Sequence, residues 1–389
     1  MIDFTSFQDW SFPVPITYGP GRIKELARLC LDQNMKKPFI VTDKGSADLP
    51  FIAAIMADLT AAGMDAALYS DISPNPRDTE IMAGRKCYLD GGHDGVIAIG
   101  GGSGMDGGKA ISLVVNNTHD LWAFEWEKTP PAIDAANPFP PLICIPTTAG
   151  TGAETESTAM VTDTELMMKW CIVHPLQKPV AVILDPELTI GLPPKLTAWT
   201  GVDALVHAVE AYVINDFHPL CDGAALEAMR LIYPNLPLVY KQPDHLEARG
   251  AMLVGSCLAG VSFIKGLGLV HAISHMVGAE YDTHHGLTNA VILPAVLRFN
   301  ADAISAKVPD LTHMMGLSDH SFDGFYGAVC DWLDLLDIPK NLSELGIPDD
   351  AVSRLAEKTM KDSAYGTNPK ASTQADVEAL IMEALHHGR

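Results

Sequence analysis

Carboxylate and imidazole side chains recur at a spacing of four residues in the second half of the sequence. Asp203 and His207 form one such pair, His271 and His275 form another, and the adjacent histidines His284–His285 follow soon after. Residues four positions apart lie on one face of a helix, so each pair can point at a single ion. A lone histidine on an apolar helix is usually a hydrogen-bonded core residue, but this clustering favours a metal site.

The ligand types indicate a class of metal and not one element. Nitrogen and oxygen ligands without thiolate are typical of a catalytic divalent ion such as Fe(II), Zn(II) or Mn(II). Spacing alone leaves open which three of the four later histidines join Asp203 or His207.

A glycine-rich turn in residues 95–110 is the first candidate for cofactor binding. The segment shows a buried-strand pattern, then glycines, then the start of a helix. Glycines let the backbone approach a phosphate closely, while Ser103 and the free N–H groups of the helix terminus supply donors. Gly102, Gly104 and Gly107 fit the GxGxxG pattern, but a segment this rich in glycine matches such patterns by accident, so the match alone is weak.

A second loop, residues 146–154, follows another buried strand and carries three threonine hydroxyls and two glycines. Either loop alone is also consistent with ordinary turn chemistry between a strand and a helix. Two such loops favour a ligand, because open α/β sheets bind at the carboxyl ends of their strands.

The elements that must position these residues change character near residue 192. Short apolar or β-branched runs alternate with helical patterns from residue 38 to 185, which predicts βαβ units on a parallel sheet. After Pro194 the apolar residues repeat at helical spacing without strand signals. We therefore predict a Rossmann-like α/β dinucleotide-binding domain with a parallel sheet in residues 1–192, and an all-α metal-binding domain in residues 193–389.

Composition limits the classes of partner. The formal net charge is −22, from 48 acidic and 26 basic residues, which disfavours nucleic acid and anionic membranes. The seven scattered cysteines include no CxxC pair, as expected for reduced thiols in a cytosol. Residues 1–10 lack the pattern of a signal peptide, and the longest apolar stretch, residues 252–264, is too short to cross a bilayer. We expect a cytoplasmic protein.

Four motifs together resemble the iron-dependent, or group III, alcohol dehydrogenase family. Its hallmarks are GGGSxxDxxKA, TTAGTGxE, DAxxHAxE, and GxxHxxxHxxG followed by HG. They correspond here to Gly100–Ala110, Thr147–Glu154, Asp203–Glu210, Gly268–Gly278 and His285–Gly286. The matches occur in the family's order and extend over essentially the whole chain, and they are closest to the branch of lactaldehyde reductases and 1,3-propanediol dehydrogenases.

The resemblance implies an NAD-linked oxidoreductase that interconverts a small alcohol and its aldehyde or ketone. It implies a metal acting as a Lewis acid, Fe(II) by family and Zn(II) or another divalent ion as an alternative. The implied metal ligands are Asp203, His207, His271 and His285. His275 is left unbound, and the resemblance gives it a role in substrate orientation or proton relay.

The resemblance also implies a set of cofactor residues. Asp43 is expected at the adenosine ribose, where a carboxylate favours the 2′-hydroxyl of NAD over the 2′-phosphate of NADP. The other residues that it carries into the cofactor cleft are Asn75, Gly101, Gly102, Ser103, Asp106, Thr147, Thr148, Thr151 and Lys169.

Two positions depart from the family pattern. His284 stands where proline is frequent, and Lys265 stands near the expected pocket wall. Lys265 is either fully exposed or, if it points inward, evidence for an anionic substrate.

The competing functions are a glycerol-dehydrogenase-like or dehydroquinate-synthase-like enzyme and a catalytically silent metal-binding or assembly protein. The expected partners are a small alcohol or aldehyde and a second copy of the chain, in a homodimer or an assembly of dimers, with no nucleic acid and no membrane.

Overall fold

The structure is a computed structural model that describes residues 14–389. The prediction that residues 1–10 are not a signal peptide lies outside these described residues. The described part of the chain begins with α/β structure and ends with helices.

The amino-terminal half alternates strands and helices as predicted. Its elements are β1 (Ile16–Tyr18), α1 (Leu26–Asp32), β2 (Pro38–Asp43), α2 (Pro50–Ala61), β3 (Ala67–Ile72), α3 (Asp78–Gly91), β4 (Gly95–Gly100), α4 (Gly102–Val114), β5 (Leu142–Pro146), β6 (Thr158–Asp163), β7 (Met168–Val173) and β8 (Ala181–Leu184).

Six of these strands form one parallel sheet in the order β1-β8-β5-β4-β2-β3. The chain runs outward from β2 to β3 and then returns to place β4 on the other side of β2. The strand order therefore reverses between β2 and β4, and parallel sheets bind ligands at the carboxyl end of such a reversal. Asp43 ends β2 and Gly100 ends β4, so two predicted segments meet at this point.

The two faces of the sheet are buried by different sets of side chains. In β4, Val96 and Ala98 pack into the larger hydrophobic core, whereas Ile97 and Ile99 pack into a second core with α1 and α2. This alternation follows from the two-residue period of a strand, and a sheet covered on both faces explains the continuous apolar runs in the sequence.

A two-stranded antiparallel hairpin is the main feature of this half that the prediction of βαβ units did not include. It consists of β6 and β7, lies outside the six-stranded sheet, and packs against α4 and α8. The hairpin matters for the site because β7 carries Lys169.

The carboxyl-terminal half is helical among the described residues, which confirms the predicted fold class. Its helices are α5 (Pro194–Val213), α6 (Pro219–Lys241), α7 (Leu246–Ser262), α8 (Leu269–Tyr281), α9 (His285–Ile304), α10 (Val308–Met314), α11 (Phe322–Leu335), α12 (Val352–Thr359) and α13 (Gln374–His386). The sequence pattern ended α6 at Ile232, but the helix continues through Pro234 and Pro237 because it packs along α5 and α7. Such packing outweighs the hydrogen bonds that the prolines remove.

The change from α/β to helical structure falls between Leu184 and Pro194, around the predicted boundary. The larger core is nevertheless continuous, since it includes Val41 of the sheet, Val209 of α5 and Leu385 of α13. The division into two domains at residue 192 therefore stays a prediction.

One helical segment of the described chain, Leu246–Lys265, is long and apolar enough to cross a membrane by length and composition, with a mean hydropathy of 1.2. It extends beyond the apolar stretch of residues 252–264, which is too short to cross a bilayer by itself. Because 67 % of the apolar window is buried inside the fold, the segment has the burial expected of a core helix.

Candidate active site

Four side chains from three helices converge at the proposed metal site. Asp203 and His207 lie one turn apart on α5, His271 comes from the first turn of α8, and His285 is the first residue of α9. The Nε2 atoms of His207, His271 and His285 lie 3.9, 3.7 and 3.6 Å from Asp203 Oδ1. One potential ligand atom from each of the four lies within 4.8 Å of all the others.

Glycine at position 286 permits this approach of α9 to α5. A Cβ atom there would collide with the carbonyl oxygen of Trp199 and would lie 3.0 Å from Cβ of Asp203. The backbone of α9 can approach α5 this closely only without a side chain, and that approach brings His285 to Asp203.

The donor set fits a divalent cation. Tetrahedral bonds of about 2.1 Å place neighbouring ligand atoms about 3.4 Å apart, slightly less than the separations from Asp203 Oδ1. Three imidazole nitrogens and one carboxylate oxygen suit Fe(II), Zn(II) or Mn(II). The side-chain carbonyl oxygen of Asn289, beside the cluster, is buried and accepts no hydrogen bond among the described residues. The centre therefore also contains a hydrogen-bond acceptor without a partner.

Glu210 holds His271 in place. Its Oε2 lies 2.6 Å from Nδ1 of His271 and accepts from the N–H of Gly268 at 3.1 Å, while its Oε1 accepts from the N–H of Val270 at 2.8 Å. This carboxylate fixes the imidazole so that Nε2 faces the other donors. A Cβ at Gly268 would lie 2.7 Å from Glu210 Oε1, so glycine is required for this contact.

Asn289 and Ser274 complete the surroundings of the cluster. The amide nitrogen of Asn289 donates to Asp203 Oδ1 at 2.6 Å and lies 3.0 Å from His271 Nε2 and 3.1 Å from His285 Nε2. The hydroxyl of Ser274 lies 3.2 Å from Nδ1 of His285. Asn289 thus links donor atoms from all three helices, and neither residue was predicted from the sequence.

Burial and neighbouring charges control the ionisation of the cluster. Burial lowers the pKa of His207 to about 4. Burial would also lower the pKa of His271, but hydrogen bonds to Asp203 and Glu210 outweigh it and raise that pKa to about 9. Burial opposes ionisation of Asp203, but His207 and the neighbouring histidines hold its pKa well below its usual range. Asp203 therefore supplies a negative charge to the centre.

The structure separates the histidines that the spacing left unresolved. His284 caps the start of α9 by accepting from the N–H of Leu287 at 3.4 Å, and its ring packs against Trp199, so it is outside the cluster. His275 lies beside the cluster: its ring stacks on His285 with the centroids 5.3 Å apart and contacts His271 edge-on at 5.9 Å.

The glycine-rich turn and the threonine loop lie side by side. The N–H of Thr147 donates to the carbonyl of Gly100 at 2.9 Å. A Cβ at Gly101 would lie 3.3 Å from Thr148, and one at Gly102 would lie 2.6 Å from Thr151. The two loops therefore form one surface at the start of α4, where free N–H groups favour a phosphate.

The threonine loop also connects this surface to the metal helix. A Cβ at Gly150 would lie 2.8 Å from the carbonyl oxygen of Thr200, so the loop backbone packs directly against α5, the helix that carries Asp203 and His207. The phosphate surface and the metal cluster are thus joined by a single short loop.

The remaining cofactor candidates line the same region. Asn75 donates to Asp282 Oδ1 at 2.8 Å and accepts from Lys169 Nζ at 3.2 Å, so it ties the loop after β3 to α8 and the hairpin. Burial lowers the pKa of Lys169, and the negative charges of Asp106, Asp203 and other nearby carboxylates partly offset this decrease. Asp106 accepts from the N–H of Met160 at 3.2 Å, and Ser103 donates to the carbonyl of Pro74 at 2.6 Å.

Asp43 lies at the end of β2, beside the glycine-rich turn. Its carboxylate accepts from the N–H of Ser46 at 3.0 Å and from the Ser46 hydroxyl at 2.8 Å, and a Cβ at Gly100 would lie 2.9 Å from Asp43 Oδ2. The structure thus brings the predicted cofactor residues to the carboxyl edge of the sheet or to the hairpin beside it. Their contacts with a cofactor stay a prediction.

Lys265 points inward, so the expectation of a fully exposed lysine is wrong, whereas an anionic substrate stays a prediction. The residue is only 7 % exposed, so it is not a surface lysine. Its ammonium lies 2.6 Å from Asp222 Oδ1 and 3.4 Å from the carbonyl of Tyr212, near the end of α5. Lys265 therefore pairs with a carboxylate and stabilises a helix carboxyl terminus. Phe263 does reach the site, with its ring 4.9 Å from that of His207.

Two family models match the chain. The model described as "Iron-containing alcohol dehydrogenase" matches residues 13–186. The model described as "Fe-containing alcohol dehydrogenase family, C-terminal" matches residues 197–385. A 1,3-propanediol dehydrogenase of Klebsiella pneumoniae is 34% identical over 97% of this chain and 98% of its own length. An NAD-dependent methanol dehydrogenase of Bacillus methanolicus is 33% identical over 96% of this chain and 98% of its own length. A crystal structure of 1,3-propanediol oxidoreductase superposes with a TM-score of 0.91 at 34% identity, covering 98% of this chain and 100% of that one.

Proposed function

This chain belongs to the iron-containing alcohol dehydrogenase family, and on that premise we propose which cofactor, which residues and which substrates its reaction uses. The reaction interconverts a small alcohol and its aldehyde or ketone by hydride transfer. The observation that supports our assignment is the convergence of Asp203, His207, His271 and His285 beside the loops at the carboxyl edge of the sheet.

These four side chains hold the metal in our proposal. When bound, a divalent ion supplies Lewis acidity that polarises the substrate oxygen. Asp203 brings the negative charge, Glu210 and Asn289 orient the ligands, and Phe263 packs on His207 to form an apolar wall. Iron is the metal in the family's description, and Zn(II) or another divalent ion suits the same donors.

NAD is the proposed cofactor. It supplies the hydride chemistry, and the chain supplies the binding surface. The name of the methanol dehydrogenase relative supports NAD over NADP, and so does Asp43 at the end of β2, because a carboxylate there repels a 2′-phosphate. The residues of the glycine-rich turn and the threonine loop are the proposed phosphate contacts.

Alcohol oxidation releases one hydride to NAD and one proton, so RCH2OH and NAD+ give RCHO, NADH and H+. His275 is the proposed group for orienting the substrate and relaying this proton, because its ring lies against His271 and His285 without being one of the four converging donors.

We propose a short neutral alcohol or aldehyde as substrate. The names of two relatives point to propanediol and methanol, and the ammonium of Lys265 is already paired with Asp222. We further propose that the chain is cytoplasmic and forms a homodimer or an assembly of dimers. We propose no nucleic-acid or membrane partner, since the net charge of −22 disfavours binding to nucleic acid and to anionic membranes.

The test is a panel of short alcohols and aldehydes with NAD or NADH, followed at 340 nm on protein reconstituted with Fe(II) or Zn(II). We expect metal-dependent turnover of neutral C1 to C4 substrates. His271→Ala should lose metal and turnover together, whereas His275→Ala should keep the metal and turn over slowly. Full activity of metal-free protein, or equal metal content and activity in all variants, would contradict the proposal.

A further inference from the structure

Asp362 brings a further carboxylate to the edge of the site from a distant part of the chain. Its Oδ2 lies 2.9 Å from Nδ1 of His275, although 87 positions separate the two residues in sequence. Both are buried, Asp362 at 7 % exposure and His275 at 5 %. The aspartate lies in the turn after α12, outside the segments that carry the predicted site residues.

His275 lies beside the metal cluster, between two of the proposed ligands and Asp362. On one side its ring contacts those of His271 and His285. On the other side its Nδ1 lies 2.9 Å from Oδ2 of Asp362. If His275 relays the substrate proton as proposed, the orientation of its two nitrogens matters for the reaction.

We infer that Asp362 is a positioning residue that fixes the tautomer and the orientation of His275 during proton transfer. A carboxylate only accepts hydrogen bonds, so Nδ1 of His275 carries the hydrogen and Nε2 keeps its lone pair. In alcohol oxidation this lone pair takes the hydroxyl proton while the hydride leaves for NAD, and the proton then passes to solvent. The inference rests on the role proposed above for His275.

The alternative is that Asp362 only stabilises its own turn. Its Oδ1 accepts from the N–H of Ala364 at 2.8 Å, an ordinary turn contact that any structural aspartate makes. The two carboxylate oxygens therefore have separate tasks, one in the turn and one on the imidazole. The experiment must report on the imidazole and not on the turn.

The decisive variants are Asp362→Asn, His275→Ala and the double variant. Asparagine keeps the size and can still accept from Ala364, but its amide can donate to Nδ1 and so select the other tautomer. We expect Asp362→Asn to lower kcat by about 10- to 100-fold with little change in KM and an unchanged metal content. In the double variant, Asp362→Asn should not lower kcat further than His275→Ala alone, because no imidazole is left to position.

Two further readouts separate proton transfer from stability. The solvent deuterium isotope effect on kcat should rise in Asp362→Asn, because proton transfer becomes slower relative to hydride transfer. Asp163 supplies a matched control: it is 8 % exposed and accepts from the N–H groups of Glu165 and Leu166 in a turn, and no contact joins it to a histidine among the described residues. Asp163→Asn should lower stability and leave both kcat and the isotope effect unchanged.

Additive effects of Asp362→Asn and His275→Ala on kcat, or an unchanged isotope effect, would overturn the inference. Asp362 would then only stabilise its own turn. If His275→Ala itself retains full turnover while the metal-dependent activity of the wild type is intact, then Asp362 has no imidazole to position and the inference falls, although the proposed reaction stands. Absence of any metal-dependent activity in the wild type would sink both.

Discussion

Replacing Glu210 by glutamine tests whether the metal centre depends on a carboxylate that is not itself a ligand. Glu210 accepts three hydrogen bonds through its two oxygens, from Nδ1 of His271 and from the N–H groups of Gly268 and Val270. Glutamine has almost the same shape but offers one oxygen and one amide. Either His271 or Val270 then faces a donor instead of an acceptor.

The magnitude follows from these contacts. A buried donor left without an acceptor costs about 1–3 kcal/mol, and loss of a carboxylate partner of a ligating histidine lowers metal affinity by about 10- to 100-fold. This range corresponds to about 1.4–2.8 kcal/mol of binding free energy. We therefore expect Glu210→Gln to bind Zn(II) about 10- to 100-fold more weakly than the wild type, with a smaller decrease in the melting temperature of the metal-free protein.

The assay is a competition titration of Zn(II) between the protein and a chromophoric chelator at fixed pH, with thermal unfolding of the metal-free forms measured in parallel. Glu227→Gln is the matched control, because Glu227 lies on α6, its side chain is 44% exposed, and among the described residues it pairs with Arg230. Equal Zn(II) affinity of Glu210→Gln and the wild type would refute the argument. So would an equal loss of affinity in the control.

Three other variants test separate parts of the structure. Asp43→Ala should narrow the preference for NADH over NADPH, measured as the ratio of kcat/KM values, because the charge that repels a 2′-phosphate is removed; an unchanged ratio would contradict the assignment of Asp43. Gly286→Ala should weaken metal binding and destabilise the fold by about 1–3 kcal/mol in chemical denaturation, since its Cβ has no room, whereas Gly223→Ala on α6, with open space around its Cβ, should be neutral or stabilising. Lys265→Met should lower the melting temperature by leaving Asp222 without its partner and should change KM equally for neutral and anionic aldehydes; a selective effect on anionic ones would restore the role in substrate binding.

Local patterns predicted much of the fold. The strands β2, β3, β4, β5 and β8 and their helices lie where alternation of apolar runs placed them, because each buried element carries its own periodicity. The hairpin of β6 and β7 was missed because its two strands pair with each other outside the main sheet, and the pattern was interpreted only in terms of βαβ units. The extension of α6 through Pro234 was missed because tertiary packing, which the sequence does not show, overrides the local signal.

The candidate ligands were found from helical spacing and family motifs, whereas the residues that hold them were not. Glu210 is part of a quoted motif but received no role, since its partner His271 lies 61 positions away. Asn289 and Asp362 carry no recognisable spacing signal at all. The ion pair of Lys265 was not predicted because its counter-ion, Asp222, is 43 positions away, and only the folded chain brings the two together.

A structure of the metal-reconstituted protein tests the central claim most directly, through an anomalous difference map recorded at the absorption edge of the added metal. The account predicts one peak per chain, about 2.0–2.3 Å from Asp203 Oδ1 and from the Nε2 atoms of His207, His271 and His285. A peak at any other position, or no peak in protein that turns over alcohol, would contradict it.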